Sequence, residues 1–220
     1  MTIIDKLKNK ENKKDKNVKR EPVGFNAILE ECRKAYPDQL YPIHYGPMIS
    51  WEAGGKFPLR EVNVYETDEY YHFVSFGLSD LFEKTTDDEY SGYGMEFTFK
   101  LKKDKYEDLE AEIRCVCNIL QQVARITFTK NEIFDIYEYI YTGQTDGIDA
   151  FRKSKLTGLI TIPDTTFVSL DTPNGRVDFV EFIGVTNDEL LALENKKTTV
   201  ANLYKKIGSD ITDYNRKSVF

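Results

Sequence analysis

From Gly24 onward, apolar residues return at three- and four-residue intervals as Phe25, Ile28, Leu29, Cys32 and Ala35. That spacing predicts an amphipathic helix ending before Pro37. The segment YPIHYGPMISWEAGGKFPL, punctuated by Pro42, Pro47, Gly54, Gly55 and Pro58, reads as loop with short extended pieces. Strands are expected over residues 62–65 and 71–76, the second with Tyr71, Phe73 and Ser75 on one face. Residues 77–89 form an acid-rich connector. It leads into SGYGMEFTFKL, where Met95, Phe97, Phe99 and Leu101 alternate with Glu96, Thr98 and Lys100 in a period of two.

Downstream, Leu109, Ile113, Val116, Leu120, Val123 and Ala124 make one apolar stripe, the mark of a helix laid against a sheet. NEIFDIYEYIYTG is rich in β-branched and aromatic residues and reads as extended, and LTGLITIPD reads as a buried strand. In FVSLDTPNGRVDFVEFIGV the pair Asn174-Gly175 separates two strand-like runs and predicts a β-hairpin. Thr186 and Glu189 have capping-box spacing ahead of a helix carrying Leu190, Leu191 and Leu193. A last short helix over residues 199–207 is expected to stop at Gly208. The pattern as a whole is α+β, with a mixed, largely antiparallel central sheet packed by helices.

Composition adds an uneven charge to this picture. The 220 residues carry a formal net charge of −7. Residues 1–20 hold eight Lys/Arg against three Asp/Glu and almost no large apolar residue after Leu7, which leaves −12 on the remainder. We read residues 1–20 as a flexible basic arm and residues 21–220 as one domain. No aromatic is interleaved in the arm to stack on bases. An acidic body disfavours direct nucleic-acid and membrane-surface partners and suits a basic protein partner. No apolar run reaches membrane-span length and no secretory h-region follows the first charges, so a cytoplasmic location is expected.

Residues suited to catalysis are scarce. The two histidines are His44, in a Pro-rich loop, and His72, on the polar face of a strand, each read as a structural or surface residue. Cys32, Cys115 and Cys117 have neither disulfide-framework nor metal-site spacing and read as reduced, buried thiols. No catalytic residue, metal ligand or cofactor site is therefore assigned. Ser91-Gly92-Tyr93-Gly94 has the composition of a phosphate loop, but its glycines precede a strand rather than a helix. They are expected to turn the chain into the sheet or to pack closely under an aromatic. Glu96 faces either solvent or a layer of polar residues. If the chain is an enzyme, Glu96 is the carboxylate to test.

Five ordered segments resemble the suppressor-of-fused domain family: HFVSFGLSDLF, SGYGMEFTFKL, NILQQVARITF, DTPNGRVDFVEFIGVTNDELLAL and NRKSVF. The likeness runs from about residue 37 to 220. It departs at YYHF, where the family has a Trp-bearing HWHY, and around NEIFDIYEYIYTG. The resemblance implies a suppressor-of-fused-like single domain that binds protein, without the additional domain of the animal regulators. Bacterial single-domain members resemble immunity proteins, or antitoxins, encoded beside polymorphic toxins. The resemblance thus implies stoichiometric neutralisation of a cognate toxin domain, a basic one such as a nuclease. A peptide-binding regulatory adaptor is the alternative. Exposed acids and an aromatic near the connector are the candidate contacts: Asp80, Glu83, Asp87, Asp88 and Tyr90.

Overall fold

Alternation along the strands sorts the side chains onto two faces of a single sheet, and both faces are covered. The computed structural model describes residues 20–220; the basic arm expected over 1–20 lies, but for Arg20, outside the described residues. In chain order the elements are α1 (Val23–Ala35), β1 (Ile43–Tyr45), β2 (Glu61–Glu66), β3 (Tyr70–Phe76), β4 (Tyr90–Lys102) and α2 (Leu109–Lys130). There follow β5 (Tyr139–Ile140), β6 (Leu156–Pro163), β7 (Leu170–Thr172), β8 (Gly175–Thr186), α3 (Asn187–Glu194) and α4 (Val200–Ile207). The strands lie in the order β1-β2-β3-β4-β8-β6-β5, with β7 paired to β8 off this path. Between the named strands all pairings are antiparallel except the central one, β4 with β8. The fold is therefore α+β with a mixed, largely antiparallel sheet.

On one face, Phe73, Met95, Phe97, Phe99, Leu101 and Phe182 pack against the stripe Ile113, Val116, Leu120, Val123 and Ala124 of α2. Asp108 caps that helix by accepting from the Ala111 amide, and Asn131 ends it in the left-handed conformation. The opposite face carries two apolar groups. Ile28, Cys32 and Tyr36 of α1 and its C-cap meet Tyr65, Val74, Phe76 and Phe179. Leu190, Leu193, Val200 and Leu203 of α3 and α4 meet Ile160, Ile162, Ile183 and Val185. Burying this many large apolar side chains is the main source of stability, at about 1.5–3 kcal/mol for each one fully removed from water.

The structure departs from the sequence reading at two places and sharpens it at two others. Ile43–Tyr45, within the segment read as loop with short extended pieces, pairs with β2 as a short edge strand. NEIFDIYEYIYTG is mostly irregular, with only Tyr139 and Ile140 in a strand. Its aromatic residues cover the sheet rather than join it: Phe134 packs on Phe97 and Phe182. The SGYG segment is inside β4 rather than ahead of it. At the hairpin, β7 and β8 pair as expected, but only Gly175 has positive φ (106°), and Pro173 precedes Asn174 in the turn. The capping box of Thr186 and Glu189 and the left-handed Gly208 after α4 stand as predicted.

Candidate functional site

Ser91, Gly92, Tyr93 and Gly94 interrupt the central ladder. Tyr90 pairs with Arg176 and Met95 with Asp178, so the four residues stand against Val177 alone. Such an insertion bends the strand and re-aims its side chains. Glycine is required twice. Gly92 has φ +58°, and a Cβ there would lie 2.6 Å from the Leu78 carbonyl oxygen; Gly94 has φ +74°, and its Cβ would lie 3.0 Å from the Tyr90 ring. Close packing under an aromatic is thus what Gly94 provides.

The bulge separates two clefts, and Gly92 and Tyr93 line both. The first, of about 880 Å³, lies between the start of β4, the 133–138 segment and the 163–169 loop. Tyr90, Phe134, Ile136, Phe167, Val168 and Arg176 are among its walls. The second, of about 980 Å³, is bounded by His44, Trp51, Arg60, Asp80, Phe82 and Lys84. The Arg60 guanidinium lies over the Phe82 ring, 4.8 Å from its centroid.

The predicted contact residues divide according to this geometry. Glu83, Asp87, Asp88 and Tyr90 are exposed, and Asp80 is half-buried. Asp80 organises the loop: its carboxylate accepts from the Gly92 amide at 2.8 Å and pairs with Lys84 at 3.2 Å. Lys84 also meets Asp88 at 2.9 Å, and the Thr86 hydroxyl together with Lys84 holds the Asp88 carboxyl below its usual range. Glu83 and Asp87 form no ion pair among the described residues. Tyr90 lines the first cleft and Asp80 the second, so the structure puts these two on opposite sides of the bulge.

Glu96 meets a polar layer and no solvent. Its carboxylate accepts from Ser75 Oγ (2.6 Å), the Gly77 amide (2.9 Å), the Ser79 amide (3.0 Å) and Ser79 Oγ (2.7 Å). Burial pushes its pKa up, and these four donors pull it back. Glu96 therefore staples the Gly-Leu-Ser turn at residues 77–79 to β4.

A larger polar layer continues along the same face of β4, and sequence reasoning missed it. Thr98 and His72 both donate to Asp164 Oδ2, at 2.6 and 3.0 Å. Asp164 Oδ1 accepts from the Thr166 and Phe167 amides. Burial alone would raise the Asp164 pKa, but the His72 and Thr98 hydrogen bonds and the Lys100 charge hold it well below the usual carboxylate range. His72, read as a structural or surface residue, is structural and fully buried. Burial lowers its pKa more than Asp164 raises it, so it is neutral, with Nε2–H donating to Asp164 and Nδ1 accepting from the Tyr36 hydroxyl at 2.6 Å.

The Lys100 ammonium spends its three donors on Thr165 Oγ1 (2.7 Å), Glu181 Oε2 (2.9 Å) and Asp210 Oδ2 (2.7 Å). Burial works against that charge, but Glu181, Asp164 and Asp210 outweigh it. Glu181, deeply buried and beside the Asp164 charge, is pushed well above the usual range. These groups lie between the two apolar clusters of this face and set how the halves meet. The cysteines are free; burial pushes Cys32 and Cys117 up to about 12 and Cys115 to about 11. Among the described residues no group of three His, Cys, Asp or Glu could hold a metal, and no helix is long and apolar enough to cross a membrane.

The sequence model described as Suppressor of fused protein matches residues 58–217. Among curated proteins, the human Suppressor of fused homolog is 31% identical over 182 residues, covering 76% of this chain and 36% of its own length. The mouse protein matches with the same figures, so the chain spans about a third of the length of these relatives. Among solved structures, a chain of the Sufu-Fu complex superposes with a TM-score of 0.78 at 28% identity, covering 90% of this chain and 93% of that one. Drosophila Suppressor of Fused gives 0.76 at 26% identity, covering 90% of this chain and 52% of that chain. A homolog from Neisseria gonorrhoeae gives 0.56 at 15% identity, covering 90% and 97%, a likeness of fold alone.

Proposed function

The chain belongs to the suppressor of fused family, and from that premise we propose that it is a cytoplasmic immunity protein that binds a cognate toxin domain and blocks it stoichiometrically. The observation that carries this reading is the bulge in β4: two clefts meet at Gly92 and Tyr93, Tyr90 lines the first and Asp80 the second, and the connector leading into β4 exposes Glu83, Asp87 and Asp88. A nuclease surface shaped for phosphate is basic, and an acidic rim steers such a partner in and speeds capture. Tyr90, with 45% of its surface exposed beside the Gly94 backbone, is the aromatic anchor of the contact. Neutralisation by occlusion asks for no catalytic group. Glu96, the carboxylate to test if the chain is an enzyme, is enclosed and already accepts four hydrogen bonds.

A peptide-binding adaptor is the second reading, favoured by the apolar walls of the first cleft, where Ile133, Ile136 and Val168 remain exposed. The test is co-expression with the toxin encoded beside this gene. Immunity predicts that cells survive and that the two proteins co-purify in a fixed ratio. Cell death without co-purification sinks it, and capture of a non-toxin partner through the first cleft favours the adaptor.

A further inference from the structure

Residues 39–51, QLYPIHYGPMISW, form the longest stretch without Asp, Glu, Lys or Arg in a chain that is 30% charged. Thirteen uncharged residues in a row belong, on hydropathy grounds, inside a fold. The next longest such runs, at 70–79 and 115–124, do lie in buried parts of β3 and α2. Yet none of residues 39–51 is buried. Leu40, Tyr41, Ile43, Met48 and Ile49 are 61%, 95%, 49%, 104% and 59% exposed. Five large side chains so placed present several hundred Å² of apolar surface, near the ~800 Å² per partner of a stable interface and at the upper end for a patch left to water.

The backbone beneath them is also unpartnered on one side. β1 is the end of the sheet, pairing only with β2. Natural edges are protected by charge, and this one has none. What it has instead is Pro42 and Pro47, which bracket the strand and limit any added pairing to Ile43, His44 and Tyr45.

We propose that this face seats a second copy of the chain, with the two β1 strands antiparallel across a twofold axis and the flanking apolar residues packed around them. Charge chooses the occupant. With −12 on residues 21–220, two copies repel over most of their surface, and this uncharged stretch is where they approach without that cost. A twofold contact is closed, so the prolines and the symmetry together give a dimer and no filament. Three residues of backbone pairing are too few to capture an extended peptide, but they suffice to register two identical apolar surfaces.

The experiment is sedimentation velocity on the full chain over a range of concentrations, with Tyr41→Glu and Ile49→Glu beside the wild type. Neither side chain lines the two clefts at the β4 bulge, so toxin neutralisation by these variants separates this proposal from the functional reading. The wild type should sediment as a dimer, and each charge should raise the dimer dissociation constant by about tenfold or more, as expected for a desolvated apolar position. Tyr41→Phe should dimerise like the wild type, and circular dichroism should be unchanged throughout. A monomeric wild type at every concentration overturns the proposal, whether the patch proves to be covered by residues 1–19 or by another protein. So does a dimer indifferent to both charges.

Discussion

Glu96 and His72 are each a single buried group on which several others depend. Replacing Glu96 with Ala leaves the Gly77 and Ser79 amides and two hydroxyls without their acceptor. The expected loss is about 3–5 kcal/mol, the range for removing one member of a buried charged network. A urea midpoint within error of wild type would show that the staple is not needed. For His72 the sign is set by neutrality in the folded state, since burial takes its pKa below the ordinary 6.5. The unfolded chain then binds more protons than the folded one below that value, so His72 costs stability as pH falls from 6.5 toward its folded pKa. The slope from this group is at most about 1.4 kcal/mol per pH unit. Asp164, whose pKa is depressed, weakens the fold in the same direction at lower pH, and Glu181, whose pKa is raised, acts in the opposite direction above 4.5. Unfolding free energies at pH 7 and 5.5 should therefore fall less in His72→Phe than in wild type. Equal slopes would mean that folding leaves the His72 pKa unshifted, and a smaller fall in wild type would mean that His72 carries its proton when folded.

At the scale of elements, β4 was half legible. Its period of two identified the apolar face correctly, and the two glycines marked a place where the chain needs freedom. Gly92→Ala should cost about 2 kcal/mol or more, from a left-handed φ that disfavours a side chain by roughly 1–2 kcal/mol and from the close Leu78 carbonyl. A melting temperature unchanged in that variant would contradict the geometry. The local signals of helix ends and hairpins were equally readable, because capping boxes, C′ glycines and Asn-Gly pairs act through neighbours a few residues away. The polar face of β4 was not. Period two says that Glu96, Thr98 and Lys100 share a side but not that the side is covered. The partners of Thr98 and Lys100, namely Asp164, Glu181 and Asp210, lie 66 to 110 residues away in the chain. Strand β1 was legible only as a short extended piece among prolines, because its place in the sheet is set by pairing with β2.

For the molecule as a whole, charge sets how it meets others. If the connector acids steer a basic partner, neutralising Glu83, Asp87 and Asp88 to Gln and Asn should slow association by about tenfold at low salt and leave dissociation nearly unchanged. Stopped-flow rates that are indifferent to both the substitutions and the ionic strength would remove steering from the account. The exposure of Glu83, Asp87 and Asp88 was legible as a charge pattern, since clustered acids favour water. The clefts were not, because their walls come from the 133–138, 163–169 and 44–60 segments as well as from β4.

The parallel pairing of β4 with β8 has a consequence for how the chain reaches this state. β1 to β4 pair successively with their neighbours, so that half can assemble from local contacts. β4 and β8 are joined through partners such as Met95 and Asp178, 83 residues apart. Closing so long a loop is slow, and parallel pairing over such a separation is the step most delayed by chain entropy. During synthesis the strand that completes the middle of the sheet leaves the ribosome only after residue 186. Until then β4, thirteen residues long and apolar on one face, is an unguarded edge. The interval between the synthesis of residues 102 and 175 is therefore the one in which β4 is most open to mispairing.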